Sequence, residues 1–561
     1  MRTELDGRMD DMMAKVAGAG GPLPLTSVER WGTQLPAFAV APPSLAAYFA
    51  HFCGQNRDVE FLVSGTERLT YGQVYDQAVR VARALVGRGI GVGDRIGIAA
   101  RNSPAWVVSY MGALMAGGVA TLLNGWWQSE ELAAAIADVS PALLIADGPR
   151  AKRLGAIPGL DTPVVTLDDT LPLDQAIAPL LGGAEGMLPE LGPDALATIL
   201  FTSGSTGQCK GALSDQRAVL SAVFNYLAQV MTMLGIATED GQPPRHPPAT
   251  LLTIPLFHVT AMVPVFLQSF AIARKIVLMP KWDAAEAMRL IQAETVTYFV
   301  GVPLMSFEIL THPDRASYDL STVTDFAAGG APRPAEHVQR IADEMGGPAP
   351  LIGYGLTETN AVGTGNWRTN YIAKPHSSGR PSVPLVELAV VDGAGAHLPQ
   401  GARGEVAIRS ICNFREYWNN PAATSAAFTA DGFFLTGDIG YLDEDGYLFI
   451  VDRKKDIIIR GGENISCQEV EEALYGHPAV REAAVFGLPD ERLGEMPVAV
   501  VWTGDDPAGA DDLRVFLSEH IAAFKVPARV WFSDGPLPRL GTEKIDKVGL
   551  KARYRALTAA G

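Results

Sequence analysis

An α/β fold is predicted, with parallel sheets covered by helices and a smaller α+β region at the C-terminal end. Three observations predict it. From residue 70 onward short apolar segments alternate with amphipathic ones, the pattern of strand–helix–strand units. Near residue 440 the texture changes to a hairpin followed by a charged run. The composition is 48% apolar and 19% charged over 561 residues, which fills more than one core and excludes a largely disordered chain.

Taken in order, residues 1–45 combine acidic positions with a Gly/Pro-rich piece from Ala17 to Pro24 and are expected to form an extended, loosely packed lead-in. The first helix follows Thr70. Tyr71, Val74, Tyr75, Ala78, Val81, Ala82 and Leu85 recur at helical spacing, Thr70 and Gln73 form a capping box, and Gly89 supplies the stop. Arg95–Ala100 reads as a strand, Ala105–Met115 and Glu130–Asp138 as helices, and Leu143–Ala146 as a strand. Gly/Pro-rich stretches near 155–193 and 237–250 read as loops. Ile439–Leu442 and Tyr447–Val451 flank Asp445-Gly446, a hairpin signal. Beyond the charged run Arg453 to Asp456, Ser466 and Glu469 cap a helix. Val480–Gly487 and Val498–Trp502 read as strands and Leu513–Ala523 as a helix. The boundary that follows divides the chain into 1–454 and 455–561, with a hinge at Lys455.

The net charge of −17 argues against nucleic acid or an anionic membrane as partner, while leaving room for a local basic pocket. Four cysteines, Cys53, Cys209, Cys412 and Cys467, lie far apart without a CxxC pair, which suits a reducing cytoplasm rather than a disulfide framework or zinc cluster. The N-terminus has no signal-peptide pattern. The stretch His246 to Ala273 has no Asp, Glu, Lys or Arg, but Pro255, His258, Pro264 and Gln268 interrupt it. A buried strand and helix therefore fits better than a membrane span.

The most informative segment follows the apolar strand Ala197–Phe201. It reads Thr202-Ser203-Gly204-Ser205-Thr206-Gly207-Gln208-Cys209-Lys210-Gly211. Hydroxyls, flexible glycines and a lysine suit a polyphosphate: glycine lets backbone N–H groups turn inward, hydroxyls donate, and lysine adds charge. The spacing is not that of the Walker loop.

This loop resembles the phosphate loop of the adenylate-forming superfamily, which includes acyl- and aryl-CoA synthetases, luciferases and peptide-synthetase adenylation domains. Further motifs match in the family's order. They are Pro255 to Thr260, Gly329-Gly330-Ala331-Pro332, Tyr354-Gly355-Leu356-Thr357-Glu358-Thr359, Arg403-Gly404-Glu405 and Thr436-Gly437-Asp438. Asp452 to Asp456, Gly461-Gly462-Glu463-Asn464, and Leu537-Pro538-Arg539 through Lys544 complete the series. The resemblance spans roughly residues 45 to 555. It implies a large N-terminal domain of two α/β subdomains plus a β-barrel-like subdomain, and a small mobile C-terminal domain.

The roles it implies make chemical sense. Thr202 to Gly207 and Lys210 would hold ATP phosphates. Gly330, Ala331 and Pro332 leave room for adenine, and Tyr354, beside Gly355, offers it a flat face. Thr357 can donate to the α-phosphate. Glu358, with Thr206, would hold Mg²⁺. Asp438 can accept from both ribose hydroxyls, and Arg453 can reach the same sugar. Lys544 would stabilise charge building on the phosphoryl oxygens as a carboxylate attacks. The catalytic set is thus Lys544, Thr206 and Glu358. The hinge at Lys455 would then bring in the Gly461-Gly462-Glu463 edge for coenzyme A. In three places the sequence departs from the family: Cys209 and Cys467 stand where proline is usual, and Glu543 stands where glycine precedes the lysine.

The implied reaction joins a carboxylic acid to coenzyme A through an acyl-adenylate, releasing AMP and pyrophosphate. His258 stands at the mouth of the acyl pocket, in a packing or gating role. Ala261, Met262, Gly301, Val302, Ala328, Gly329 and Asn360 complete the candidate wall. These are mostly small or apolar, without a cation for a second carboxylate, which points to a medium- or long-chain fatty acid or a hydrophobic cyclic acid. An aryl-CoA ligase of the 4-coumarate or benzoate type is the alternative. A luciferase-like oxygenase, a stand-alone adenylation protein and a non-enzymatic nucleotide-binding module are the more distant readings. The sequence ends at Gly561, which argues against a fused carrier domain. A homodimer is left open.

Overall fold

The computed structural model describes residues 2–202, 209–331, 333–345, 347–460, 463–490, 492–504, 506, 508–540 and 544–559. Two large sheets organise the N-terminal part. In the first, strands Leu196–Thr202, Val119–Leu122, Arg95–Ala99, Leu143–Asp147 and Val164–Leu167 run parallel in that spatial order. Lys210–Asp215 joins antiparallel at one edge, followed by Glu416–Tyr417. In the second, Ala349–Tyr354, Asp325–Gly329, Tyr298–Gly301, Ala249–Leu252, Lys275–Leu278 and Glu60–Ser64 are parallel neighbours. Short antiparallel strands close both of its edges.

Helices Tyr71–Gly87, Pro104–Met115 and Gln216–Glu239 and the segment Val259–Ala271 share one core with both sheets. Such a doubly covered parallel sheet needs near-continuous apolar strands, and the buried runs Ile96–Ile98 and Leu143–Ala146 supply them. The expected barrel-like piece is a four-stranded antiparallel sheet, Val386–Val391, Gly404–Ser410, Phe434–Leu442 and Leu448–Arg453. Its last hairpin turns at Gly446, whose φ of +81° suits glycine. The C-terminal region is α+β. Glu482–Asp490 and Gly494–Trp502 form its central hairpin, Arg529–Phe532 adds in parallel, and helices Cys467–Tyr475, Ala510–His520 and Lys547–Ala559 cover it.

Two expectations are corrected. The lead-in is not extended or loose. Residues Glu4–Ala17 form a capped helix on helix Gln216–Glu239, and Leu25–Arg30 pairs with Thr33–Phe38 as a hairpin. Met12, Met13, Val16, Leu35 and Phe38 are buried. Arg30 makes a shielded ion pair with Asp215 at 2.9 Å, and Asp215 caps the same long helix by accepting from the Ala218 N–H. The helix also seats Asp6, 1% exposed, where Tyr447 Oη donates at 2.8 Å, Asn370 Nδ2 at 3.1 Å and Arg380 Nη1 at 3.3 Å. These partners lie hundreds of residues away, so the local composition concealed the packing.

The 155–193 loop likewise contains the edge strand Val164–Leu167 and a short helix Leu173–Ala176. The segment His246 to Ala273 is strand Ala249–Leu252 followed by helical turns, as expected. Among the described residues one helix, Gln216–Glu239, is long and apolar enough to cross a membrane, and 67% of its most apolar stretch is buried inside the protein.

Candidate active site

The predicted residues gather where parallel strands end, the usual place for a ligand in such sheets. Thr202, Gly301, Gly329 and Tyr354 are the last residues of their strands. Ser203, Gly204, Ser205, Thr206 and Gly207 lie outside the described residues, as do Pro332, Gly461, Gly462 and Glu543. Lys210 opens the returning strand, its Nζ 4.8 Å from the centroid of the Tyr417 ring.

Lys544 is the centre of the arrangement. A Cβ built on Gly330 would lie 3.3 Å from Lys544 Cε and 3.7 Å from its Nζ. Gly330 also has φ +79°, a backbone conformation that favours glycine there. Lost hydration, with Arg453 adding to it and Asp438 opposing, lowers the Lys544 pKa to about 8. The loop bearing Lys544 is pinned at its base. Leu540 N–H donates to Lys544 O at 2.7 Å, and Asp546 N–H donates to Pro538 O at 2.7 Å. The buried carboxylate of Glu482 accepts from Leu537 N–H at 2.7 Å and pairs with Arg539.

Asp438 and Arg453 face each other across adjacent strands, with Arg453 Nε 3.3 Å from Asp438 Oδ1. Tyr354 Oη donates to Asp438 Oδ2 at 2.7 Å. Burial raises the Asp438 carboxyl despite both partners. Tyr354 thus fixes Asp438 as well as offering a ring. Gly355 is obligatory beside it, since a Cβ would sit 2.1 Å from Ala361 O. Thr357 and Glu358 occupy a single 3₁₀ turn. Glu358 is 7% exposed and burial raises its pKa. Tyr417 Oη donates to its Oε1 at 2.7 Å.

Among the described residues, no cluster of three or more His, Cys, Asp or Glu could hold a metal by itself. Glu358 nonetheless fits Mg²⁺: it is a sequestered carboxylate whose Oε1 accepts from Tyr417 Oη, with no side-chain donor on Oε2 among the described residues. One protein oxygen plus nucleotide phosphates is a common Mg²⁺ shell.

His258 Nδ1 accepts from Thr260 N–H at 3.2 Å and so starts the turn Val259–Ala261. Lost hydration, with Lys544 nearby, lowers its pKa to about 3. The imidazole is neutral, in keeping with packing or gating rather than proton transfer. Thr260 Cγ2 lies 3.3 Å from the Cβ position of Gly329, which brings the 258–262 segment against strand 325–329. Ala261, Met262, Val302 and Ala328 are buried, and a Cβ on Gly301 would press on Met305 at 3.0 Å. Asn360 is spoken for otherwise. Its Nδ2 donates to Ser214 Oγ at 3.0 Å and to Cys412 O at 2.8 Å, with backbone φ +50°. Ala331 follows Gly330 in a bend. Lys455 sits in an exposed turn between strands Leu448–Arg453 and Ile458–Arg460, and Glu463 opens an exposed strand end.

Sequence reasoning missed Tyr417 and Glu482, which hold Glu358 and the lysine loop. No local pattern marks either; both act across long sequence separations. Glu405 was visible only as part of a motif. It accepts from Gly437 N–H at 3.0 Å and pairs with Lys454 at 2.9 Å, fixing the turn before Asp438.

Fold and site together define an enzyme that activates a carboxylate by adenylation. The sequence matches the AMP-binding enzyme family over residues 49–418 and the AMP-binding enzyme C-terminal domain over residues 469–544. The chain belongs to this family, and it is an AMP-forming acid–CoA ligase.

Among similar proteins is the long-chain-fatty-acid–CoA ligase FadD13 of Mycobacterium tuberculosis, 33% identical over 493 residues, 87% of this chain and 94% of that one. Feruloyl-CoA synthase of an Amycolatopsis species is 33% identical over 496 residues, covering 87% and 95%. A 3-[(3aS,4S,7aS)-7a-methyl-1,5-dioxo-octahydro-1H-inden-4-yl]propanoyl:CoA ligase of Rhodococcus jostii is 30% identical over 510 residues, covering 87% and 94%. Among solved structures, ATP-bound MatB from Rhodopseudomonas palustris superposes with a TM-score of 0.79 at 28% identity, over 91% of this chain and 99% of that one.

Proposed function

We propose that the substrate is a hydrophobic monocarboxylic acid, a fatty acid or a hydrophobic cyclic acid. The candidate wall of His258, Ala261, Met262, Gly301, Val302, Ala328 and Gly329 is small or apolar and offers no cation. Relatives named for long-chain fatty acids and for a bicyclic propanoyl group agree with this. An aryl acid is the second reading, favoured by the relative named feruloyl-CoA synthase.

In the first step the acid's carboxylate oxygen attacks the α-phosphorus of ATP and pyrophosphate leaves. Lys544 stabilises charge on the α-phosphoryl oxygens and the entering carboxylate. Asp438, held by Tyr354, accepts from the ribose hydroxyls, with Arg453 beside it. Tyr354 and the Gly330-Ala331-Pro332 segment flank adenine. Thr202 to Gly207, Lys210 and Thr357 bind phosphates. Glu358 and Thr206 would hold Mg²⁺, which when bound would neutralise phosphate charge. In the second step the thiol of coenzyme A attacks the acyl carbon, AMP leaves, and the thiol proton passes to solvent. A rotation at Lys455, the boundary of units 1–454 and 455–561, withdraws Lys544 and presents Gly461, Gly462 and Glu463 to the pantetheine arm. The cytoplasm, where ATP and coenzyme A are available, is the setting.

The observation that carries this reading is the approach of Lys544 to Gly330 beside Asp438 and Arg453. Chromatography of the nucleotide products tests it. Acid-dependent, Mg²⁺-dependent release of pyrophosphate with AMP is expected; ADP as the main product would overturn it.

A further inference from the structure

Strand Leu448–Arg453 and helix Cys467–Tyr475 lie on opposite sides of Lys455 in the chain and touch across it. Two hydrogen bonds make the contact. Ser466 Oγ donates to Val451 O at 2.6 Å, and the Cys467 N–H donates to Asp452 Oδ2. Asp452 is 6% exposed and Cys467 1%. The other oxygen, Asp452 Oδ1, accepts from the Arg453 N–H at 2.7 Å, on its own side of Lys455. The Cys467 thiol bonds elsewhere. Its Sγ donates to Asp456 O at 2.9 Å, and both of these residues lie beyond Lys455.

Charge reinforces the contact. Half-buried Lys547 pairs with Glu471 at 2.6 Å, and Glu471 stands one turn on from Cys467. The Val485 N–H also donates to Glu471, at 2.6 Å, so Lys547 is fixed within the C-terminal unit. Burial raises the Asp452 carboxyl, the Arg453 N–H, Lys547 and the Cys467 N–H oppose it, and Asp456 adds to it. Lys547 is thus a cation that faces Asp452 from across the pivot.

The first residue of a helix has no partner for its N–H within the helix, which is why proline is well placed there. Proline, usual in the family at this position, has no N–H to give to Asp452. We propose that the Cys467 N–H and Asp452 form a latch holding the C-terminal unit in the orientation with Lys544 beside Gly330, which makes Cys467 a positioning residue that sets the balance between the two half-reactions. Rotation at Lys455 leaves Asp452 with one unit and carries Cys467 away with the other, so the bond exists in one orientation only. A contact that differs between two states shifts their populations by its differential strength. For a hydrogen bond to a carboxylate that shift is about tenfold or more. The thiol bond moves with the C-terminal unit and contributes nothing to the balance. This rests on the two-orientation reading of the ligase and adds to it the group that sets the balance.

Cys467→Pro tests the latch. Ser466 before it is extended, with φ −75° and ψ 124°, a backbone suited to a residue preceding proline, so the exchange fits the helix start and removes the N–H. The readout, on the whole protein, is a ratio of two single-turnover rates. The first is acyl-adenylate formation from decanoic or ferulic acid, whichever reacts faster; the second is acyl transfer to coenzyme A from the same acyl-adenylate supplied pre-made. General damage to the fold lowers both rates and leaves their ratio. Cys467→Pro should lower the ratio by about fivefold or more, while Cys467→Ala, which keeps the N–H and loses the thiol, should stay within about twofold of the parent. Asp452→Asn should lower the ratio in the same direction, and it carries the test if the proline variant does not fold. A ratio unchanged in Cys467→Pro, or lowered as far in Cys467→Ala, overturns the latch when Lys544→Ala still separates the half-reactions. If Lys544→Ala slows both alike, the two-orientation reading fails and the latch fails with it.

Discussion

At the scale of single residues the site is governed by what burial does to charge. Lys544 carries an ammonium whose pKa is brought from its ordinary 10.5 to about 8 by lost hydration and by Arg453. The charged form is the one that stabilises a developing phosphoryl negative charge. Below about pH 8 the lysine is charged in the site; as pH rises through that value it becomes neutral, while a solvated lysine would stay charged to about 10.4. Adenylation measured as kcat/KM for ATP should therefore fall above about pH 8. In kcat the falling limb should lie higher, because bound phosphates favour the ammonium. The His258 pKa of about 3 removes it as the source of either limb. A pH–rate profile of pyrophosphate release checks this, and a limb unchanged in Lys544→Met would contradict it.

The residue types were legible in the sequence: a lysine, an aspartate, a glutamate and a tyrosine in ordered motifs. Their mutual fixing was not. Tyr354 and Asp438 are 84 residues apart, and Tyr417 and Glu358 are 59 apart. Nothing local states that a phenol will seat either carboxylate.

At the scale of elements, local signals worked where local physics decides. The Thr70–Gln73 capping box is present, with Gln73 N–H donating to Thr70 Oγ1 at 3.2 Å. The hairpin at Asp445-Gly446 closes with Leu442 opposite Leu448. They failed for Glu4–Ala17, where acidic residues and a following Gly/Pro piece masked an amphipathic helix. Asp6 is its anchor, and Asp6→Ala removes hydrogen bonds to a charged group from Tyr447, Asn370 and Arg380. A stability loss of about 2–3 kcal/mol is expected, read as a lower denaturant midpoint at unchanged slope. A change within about 0.5 kcal/mol, normal for a surface site, would show that the helix is only laid on the surface.

The Lys544 loop is the second element whose support is non-local. Glu482 holds its base through Leu537 and Arg539. Glu482 is a positioning residue, so Glu482→Gln should slow pyrophosphate release by about tenfold, since slight misplacement of a catalytic group costs rate heavily. It should leave acyl transfer from supplied acyl-adenylate to coenzyme A near the parent rate. Equal losses in both would reveal general damage to the C-terminal fold instead.

At the scale of the whole molecule, the C-terminal α+β unit is docked with its lysine inside the N-terminal site. Asp452, on the last strand of the four-stranded sheet, accepts from the Cys467 N–H at the start of helix Cys467–Tyr475. Ser466 Oγ donates to Val451 O at 2.6 Å. These contacts hold one orientation, and in it the ammonium lies beside Gly330. On the proposed mechanism this orientation serves adenylation alone. Measuring the two half-reactions of Lys544→Ala separately tests that claim most directly. Acyl-adenylate formation should fall by about 10²–10³ or more, the usual loss for one well-placed electrostatic donor. Acyl transfer from pre-made acyl-adenylate to coenzyme A should continue near the parent rate. Comparable losses in both half-reactions would contradict the account and make Lys544 a structural residue or part of a mechanism with a single orientation.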